Sequence, residues 1–522
     1  MRTIKKGIFY LLLTTLTLGG ASCNKLLDVT PKGIISSDTF WKNEGQAVAA
    51  VAGMYANLSV SNPNFAVGQT NFTNLSATYL TPQEAYIYWG EMRGEILANN
   101  PTKMPANQLS KENVDAYLTA PGDPTTRYAA FYKIINQANL AIAKIPDVTK
   151  LDPNFTPLEA QQLVGEAYFI RAFCYFLLAR TFKEVPLILD AYTRDDQPFN
   201  IAKSTSGQIF SQIITDLNLA QKQLPEWYTS SLYPRIRATK YTAQTVLADV
   251  YLWQAAVANN PAAANTMYDN AIANCESVIN SGHYFLLPGA QFTSIFNTGN
   301  TSESIFEQFA NSTLNNQSSS MNQWFQSNQL WIVTLSTDAL FQNVPVADYR
   351  SYSTTTNVGY NTTTRLVQKY QNNNAHWIFY RLAEVYLMEA EAIAHRYPDD
   401  LTKLQQACDL VNNVRERAYY PIPAPWPVAT ASSTADMDKI LLDERAKEFI
   451  GEGKRWFELM RFASRDNFAH KEYLTDRILN SIGGTDQLKI SPRISNPDSW
   501  YLPLNTDEIS SNRALVQNPY YK

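Results

Sequence analysis

The chain has 522 residues, of which 45% are hydrophobic and 17% are charged, so it can bury a sizeable core and is not a disordered polypeptide. This length allows two or three domains or one large one. The formal net charge of −4 gives the chain no electrostatic reason to bind nucleic acid.

The first 22 residues have the three parts of a secretory signal peptide. A basic start precedes the apolar run from Ile8 to Leu18, which is too short to span a bilayer, and small residues follow at 19–22. Cys23 comes next, which predicts lipoprotein processing, with fatty acyl chains such as palmitate holding a soluble body to a membrane. An ordinary secretory cleavage site is the alternative, because Gly20 stands where a lipoprotein signal usually has leucine.

Residues 23–37 are predicted to form an extended, lipidated tether, and residues 38–282 an N-terminal helical region. Turn dipeptides punctuate residues 60–125, which are predicted to be mostly loop. Apolar residues recur at helical spacing elsewhere in this region and predict helices over 39–58, 128–145, 158–182, 204–224, 238–257 and 265–279.

A weak repeat runs through the predicted helices. The pattern of a small residue followed three positions later by tyrosine occurs at Gly165, Ala248 and Ala383. It is typical of the first helix of a tetratricopeptide pair, where the small residue lets the partner helix approach closely. Because the copies are unevenly spaced, the sequence predicts a mainly α fold of tetratricopeptide-like helix pairs, an α-α superhelix, interrupted by insertions.

The C-terminal region, residues 283–522, opens with a loop-rich insertion at 283–375. The insertion is rich in Asn, Ser, Thr and Gln, and it carries aromatic residues that include Trp324 and Trp331. A stretch this long is usually functional or contains short elements. Rings on polar loops stack well on flat ligands and on the apolar faces of sugars.

No local pattern indicates catalysis, a metal or a cofactor. None of the four histidines has another ligand type at zinc spacing, and no phosphate loop or serine nucleophile elbow is found. Cys174, Cys275 and Cys408 lie far apart in apolar helical segments, which predicts buried free thiols. A glycosidase would need two facing carboxylates, which sequence alone does not reveal.

A charged segment at 443–461 stands out. Read as one helix, it places Glu448, Glu452 and Arg455 along one face, with Glu452 and Arg455 close enough to pair. Gly451 and Gly453 would then lie inside the helix and imply a close packing partner. We expect an internal salt-bridge network that locks this helix to its neighbours, and a charged binding groove is the alternative.

The chain resembles the SusD/RagB family of outer-membrane lipoproteins of Bacteroidetes. The resemblance extends over nearly the full length. It rests on Cys23-Asn24-Lys25-Leu26-Leu27-Asp28, Phe40-Trp41, Gly53-Met54-Tyr55, Gly165-Glu166-Ala167-Tyr168, Val185-Pro186-Leu187, Arg381-Leu382-Ala383-Glu384, the Glu444–Arg461 segment, Trp500-Tyr501-Leu502-Pro503 and Asn518-Pro519-Tyr520.

The resemblance implies a SusD-like fold on the outer face of the outer membrane, paired with a SusC-like TonB-dependent transporter. Most relatives bind glycans and some bind peptides, without catalysis. Ligand contacts are expected at Tyr88, Trp89, Arg93, Trp324 and Trp331, where rings would stack on an oligosaccharide and the arginine would donate hydrogen bonds. A buried structural role is the alternative for each, and a helical-repeat interaction protein without a small ligand is the alternative for the chain.

Overall fold

Helices dominate the described part of the chain. Seven lie before residue 283: α1 Glu44–Asn57, α2 Pro82–Gly90, α3 Ala129–Val148, α4 Pro157–Phe182, α5 Ser206–Gln223, α6 Lys240–Ala256 and α7 Pro261–Ile279. Those after it are α8 Ser294–Asn297, α9 Leu335–Ala339, α10 Leu382–Arg396, α11 Leu401–Tyr419, α12 Thr434–Glu448, α13 Arg455–Phe468, α14 Glu472–Ser481, α15 Thr485–Ile494 and α16 Thr506–Ser511.

Two small antiparallel sheets complete these elements. Strand β1, Leu97–Asn99, pairs with β3, Trp331–Val333, and the register joins Leu97 to Val333. Strand β2, Ser304–Gln308, pairs with β4, Trp377–Arg381, with irregular register around Phe306. The predicted insertion therefore contains short strands and helices.

The structure is a computed structural model that describes residues 40–58, 80–100, 118–194, 196–229, 235–258, 260–310, 324–325, 329–341, 348–351, 366–372, 374–419, 427–482 and 485–522. The predicted signal peptide, Cys23 and the tether lie outside the described residues. Residues 43–522 form one compact unit, and residues 1–42 are a separate unit.

Side-chain caps set where the helices begin. Thr156 and Glu159 form a capping box at the start of α4, and Thr205 and Gln208 form one at the start of α5. Both helices begin within two residues of the predicted positions. Helix α1 begins later than predicted, because the side chain of Asn43 caps it by accepting from the Gln46 amide.

The predicted helix pairs are confirmed. Helix α4 packs against α5, α6 against α7, and α10 against α11. A Cβ added at Gly165 would lie 2.9 Å from the Cβ of Gln223, so the small residue does permit a close approach of α5 to α4. Contacts of α5 with α6 and of α7 with α10 stack the three pairs, although the insertion separates the last pair in sequence.

The core lies around α4 and the β2–β4 sheet. Phe173 on α4 meets Phe306 and Phe379 of the sheet, with ring centroids 5.6 and 5.2 Å away. Helix α4 is long and apolar enough to cross a membrane by length and composition alone, but 83% of its most apolar window is buried, as in the core helix of a soluble protein. Cys174, Cys275 and Cys408 are free and buried, as predicted.

The C-terminal segment packs back onto the N-terminal half. The Leu502 amide donates to the carbonyl oxygen of Thr181 at 2.8 Å, and the Asn505 side-chain amide donates to the Asp123 carbonyl at 2.8 Å. Both bonds join positions more than 300 residues apart. The last 20 or so residues therefore close the fold around the end of α4.

The predicted continuous helix over 444–461 is wrong. Helix α12 ends at Glu448 and α13 begins at Arg455, and the turn between them places Gly451 and Gly453 at φ of +74° and +75°. These dihedrals favour glycine because a Cβ crowds the backbone there. The expected close partner is present, since a Cβ at Gly453 would lie 2.7 Å from the Tyr86 carbonyl oxygen.

Candidate ligand sites

Three of the five predicted ligand residues meet in one aromatic cluster. Ring centroids are 5.4 Å apart for Tyr88 and Trp324, 5.8 Å for Tyr88 and Trp331, and 5.2 Å for the two tryptophans. The pairing of β1 with β3 brings Trp331 to the end of α2, and its Nε1 donates to Asn99 Oδ1 at 3.2 Å. The three side chains are at most 4% exposed, so the prediction of an exposed ring platform is wrong for them.

Trp89 and Arg93 are also buried, and each joins parts of the scaffold. Trp89 stacks on Phe131 of α3 at 5.2 Å and donates from Nε1 to the Thr125 carbonyl at 2.7 Å. Arg93 donates from Nη1 to the Trp500 carbonyl at 2.7 Å, and its guanidinium lies 3.9 Å from the Trp456 ring centroid. These contacts explain why neither side chain offers a surface to a ligand, contrary to the prediction.

The predicted internal charge network exists and is larger than expected. The guanidinium of Arg381 lies at its centre, with Nη1 2.8 Å from Glu303 and 2.5 Å from Glu448, and Nη2 2.9 Å from Glu452. Every member is at most 5% exposed. We call this set the buried charge lattice: Glu303, Asp348, Arg350, Lys369, Arg381, Arg417, Glu444, Glu448 and Glu452.

Glu444, Glu448 and Glu452 stay ionised despite their burial, because neighbouring cations lower their pKa values. Burial raises the pKa of Glu448, but Arg417, Arg381 and Arg350 more than offset it and hold that pKa well below its ordinary value. For Glu444, burial is likewise outweighed by Arg350 and Arg415, and the pKa falls to about 2. These three carboxylates therefore carry their charge at neutral pH.

Arg455 belongs to a different ion pair from the predicted one. Among the described ion pairs, its partners are Glu95 and Glu458, and its Nε lies 3.0 Å from both carboxylate oxygens of Glu95. The predicted pairing with Glu452 assumed helical spacing across residues 452–455. The glycine turn between α12 and α13 removes that spacing and directs Arg455 to the end of α2.

A groove with exposed rings lies elsewhere, between α3, the loop after α4, and α16. We call it the aromatic groove; its cavity volume is about 420 Å³. Tyr132, Tyr192, Phe199, Glu508 and Asn512 are among the residues that line it. Phe199 is 57% exposed, in contrast to every predicted ring.

Hydrogen bonds hold the ring-bearing loop of the aromatic groove in place. The Asn136 side chain accepts from the Tyr192 amide at 2.7 Å and donates to its carbonyl at 3.3 Å. The Tyr192 hydroxyl donates to the Pro198 carbonyl at 2.6 Å, and the rings of Tyr192 and Phe199 stack at 5.7 Å. The exposed ring of Phe199 and the partly buried ring of Tyr192 are thus preorganised for a flat ligand.

Helix α16 supplies polar groups to the groove. Glu508 Oε1 accepts from the Tyr128 amide at 3.2 Å, and burial raises the pKa of this carboxyl. Asn512 donates from its side-chain amide to the Ile201 carbonyl at 2.7 Å, which ties α16 to the same loop. Rings facing a carboxylate and amides can stack on one face of a sugar and hydrogen-bond its hydroxyls.

Sequence reasoning missed the aromatic groove, although a signal was present. Tyr192 and Phe199 flank the polar residues 193–197, which is the ring-in-polar-loop pattern that pointed to Trp324 and Trp331. Within the described ranges, no group of three or more His, Cys, Asp or Glu side chains is placed to hold a metal ion.

Comparison with known proteins identifies the family. A family model described as "SusD family" matches residues 344–521, and a second, described as "Starch-binding associating with outer membrane", matches residues 69–252. The chain belongs to the SusD/RagB family. The predicted family and the mainly α, SusD-like fold are therefore confirmed.

Relatives of the SusD/RagB family align with most of this chain. "SusD-like protein P38" from Formosa agariphila is 25% identical and covers 87% of this chain and 91% of its own. The "Starch-binding protein SusD" of Bacteroides thetaiotaomicron is 31% identical over 27% of this chain and 21% of its own.

Solved structures share the fold. A SusD superfamily protein from Bacteroides fragilis superposes with a TM-score of 0.70 at 22% identity, covering 92% of this chain and 100% of its own. A "Laminarin binding SusD-like protein" superposes with a TM-score of 0.65 at 20% identity, with the same coverage.

Proposed function

We propose that this protein is a cell-surface lipoprotein that binds an oligosaccharide without catalysis and delivers it to a SusC-like TonB-dependent transporter of the outer membrane. The aromatic groove is the observation that carries the proposal, because it presents the exposed ring of Phe199, stacked on Tyr192, in a member of the SusD/RagB family. The family description of starch binding and the laminarin-binding structural neighbour support a glycan as the ligand.

The chemistry of the groove suits a neutral sugar. The C–H face of a sugar ring would pack on Phe199, and its hydroxyls would hydrogen-bond to Glu508 and Asn512, which line the same groove. An open, hydrated groove of this kind gives modest single-site affinity, in the range of about micromolar to millimolar Kd.

Membrane attachment is proposed to run through Cys23, at the start of a tether formed by residues 23–37. Acyl chains on this cysteine would hold the helical body at the outer membrane, each buried CH₂ contributing about 0.8 kcal/mol. The supporting observation is the order of basic, apolar and small residues before Cys23. The anchor would keep a captured ligand near the transporter.

A peptide is the second candidate ligand. Pro186, Ile188 and Leu515 also line the aromatic groove and give it apolar walls that accept peptide side chains. A surface glycan hydrolase is a weaker alternative, since the sequence patterns of catalysis that we searched for do not occur.

The test is calorimetry on residues 24–522 with laminarin and malto-oligosaccharides and a panel of short peptides. We expect a glycan to bind the wild type and Phe199→Ala to weaken it about tenfold, since loss of a stacked ring corresponds to about 0.5–1.5 kcal/mol beyond area burial. Leu158→Ala, which removes a side chain 62% exposed on α4 and outside the groove, is the matched control. Peptide binding without glycan binding would favour the second candidate.

The originally predicted ring cluster is tested in the same series. Trp331 is fully buried, so Trp331→Ala should destabilise the fold by about 3–5 kcal/mol rather than remove binding selectively. A Trp331→Ala variant that melts like wild type but no longer binds glycan would return the ligand site to that cluster.

A further inference from the structure

We propose a second saccharide-binding site in a groove formed by the end of α7, the following loop, and helices α10 and α11; this inference rests on the proposed function. We call it the Arg417 groove, and its cavity volume is about 490 Å³. It shares no lining residue with the aromatic groove. The residues that would contact the ligand are Phe285, Tyr386, Asn413, Glu416 and Arg417.

An exposed ring on a fixed backbone marks this groove, as in the first one. Phe285 is 60% exposed, yet its amide donates to the Ser302 carbonyl at 2.9 Å and its carbonyl accepts from the Ser302 hydroxyl at 3.2 Å. Tyr386 adds a partly exposed ring from α10. A large ring that is exposed to solvent and carried by a hydrogen-bonded backbone is preorganised to stack on a ligand.

The buried charge lattice holds both walls of the Arg417 groove. Glu303 accepts from the Leu287 amide at 2.9 Å and from Arg417 Nη2 at 3.3 Å, so one carboxylate fixes the loop and the helix together. A Cβ added at Gly289 would lie 2.8 Å from the Ala418 carbonyl oxygen, so the loop presses directly on the end of α11. These contacts therefore hold the loop of the groove against α11.

The polar groups of the groove select a neutral polyol over an anion. Arg417 is 5% exposed, and its Nε and Nη1 have no hydrogen-bond acceptor among the described residues. Beside it, Glu416 and Asn413 are exposed and offer acceptors. The Glu416 carboxylate opposes a negatively charged ligand, whereas sugar hydroxyls accept from an arginine or amide and donate to a carboxylate.

Two sites on one chain predict a response to ligand length. A short oligosaccharide fills each site independently, whereas a polymer presents many units and gains affinity through effective concentration. Linked binding of this kind raises the apparent affinity by about 10² to 10⁴ when the geometry allows both sites to engage. A single-site protein would bind polymer and oligosaccharide alike, apart from statistical factors.

The experiment measures stoichiometry and affinity by calorimetry with laminariheptaose and maltoheptaose, then with laminarin and soluble starch. We expect the wild type to bind two heptasaccharides. In Phe199→Ala and in Phe285→Ala/Glu416→Ala, the unaltered site should keep its affinity and the altered site should bind about tenfold more weakly. In each variant, the additional apparent affinity for the polymer over the heptasaccharide should be lost. Both altered sets of residues are exposed or partly exposed, so the variants should melt like wild type and like the Leu158→Ala control.

The outcomes separate this inference from the proposed function. A wild-type stoichiometry of one, with an affinity that Phe199→Ala weakens and Phe285→Ala/Glu416→Ala leaves unchanged, would overturn the second site and leave the glycan-binding function standing. Absence of any glycan binding by the wild type would overturn both. Unchanged glycan binding with weakened association to the transporter would overturn the second site and assign the groove to protein docking.

Discussion

Removing the central cation of the buried charge lattice should destabilise the protein strongly. Arg381→Met keeps a long apolar side chain but leaves Glu303, Glu448 and Glu452 without the guanidinium that each contacts at 2.8, 2.5 and 2.9 Å. Breaking a buried pair costs about 3–5 kcal/mol because it strands a buried charge. Because Arg381 contacts three carboxylates, we expect the loss of unfolding free energy to lie at the upper end of that range.

The matched control is Arg396→Met, at the C-terminal end of α10, the helix that directly follows Arg381. Arg396 pairs with Asp269 at 2.6 Å, but the two side chains are 28% and 50% exposed, so the expected loss is about 0–1 kcal/mol. Urea unfolding followed by circular dichroism measures both; with a slope near 3 kcal/mol/M, the Arg381 variant should shift its midpoint by about 1–1.7 M. Equal shifts in the two variants would refute a stabilising lattice.

Lowering the pH should reduce the difference in unfolding free energy between wild type and Arg381→Met. The folded-state pKa of Glu448 lies below its unfolded value, so its contribution to stability is present above about pH 4.5 and is lost as pH falls toward the folded pKa. Protonation also relieves the stranded carboxylates of the variant. A difference that stays constant between pH 7 and pH 3 would contradict this reasoning.

Three further predictions concern other parts of the molecule. Cys23→Ala should release the protein from the membrane fraction, and retention after a salt wash would argue against lipidation as the anchor. Arg455→Met should strand Glu95, so Glu95→Leu added to it should restore much of the melting temperature, whereas Glu452→Leu should not. Glu91 accepts from the amides of Gly451, Gly453 and Lys454 at 2.8, 3.0 and 3.1 Å, so Glu91→Ala should lose about 3 kcal/mol or more in urea unfolding. Burial raises the pKa of Glu91 to about 7, above its unfolded value near 4.5. The contribution of Glu91 to stability should therefore decline as pH rises from 4.5 to 7. A difference in unfolding free energy between wild type and Glu91→Gln that stays constant across this pH range would refute the prediction.

Local signals in the sequence were sufficient for most of the helical architecture. The bounds of α3 to α7 follow from apolar spacing together with caps such as Thr156 and Thr205, because both signals act within a few residues. Gly165 predicted a close helix partner for the same reason. Helix α2 lies in the range predicted to be mostly loop, because turn dipeptides surround it, and the structure shows that a Thr81–Glu84 capping box starts it.

The ligand residues could not be predicted because ring exposure depends on distant parts of the chain. Trp89 is covered by Phe131, and Arg93 is held by the carbonyl of Trp500, 407 positions away. No local pattern reports such contacts. The mistaken Arg455 pairing has a different cause: the positive φ at Gly451 and Gly453 ends a helix that composition alone would continue.

The closure of the fold by its C-terminal segment has a consequence for how the protein is made. Arg93 meets Trp500, and Asp123 meets Asn505, so the N-terminal half lacks part of its covering until the ribosome has finished the chain. Contacts of such long range form late, because a very large loop must close before they contribute. A prematurely terminated product would expose the end of α4 to proteases, so full-length chains should accumulate in preference to truncated ones.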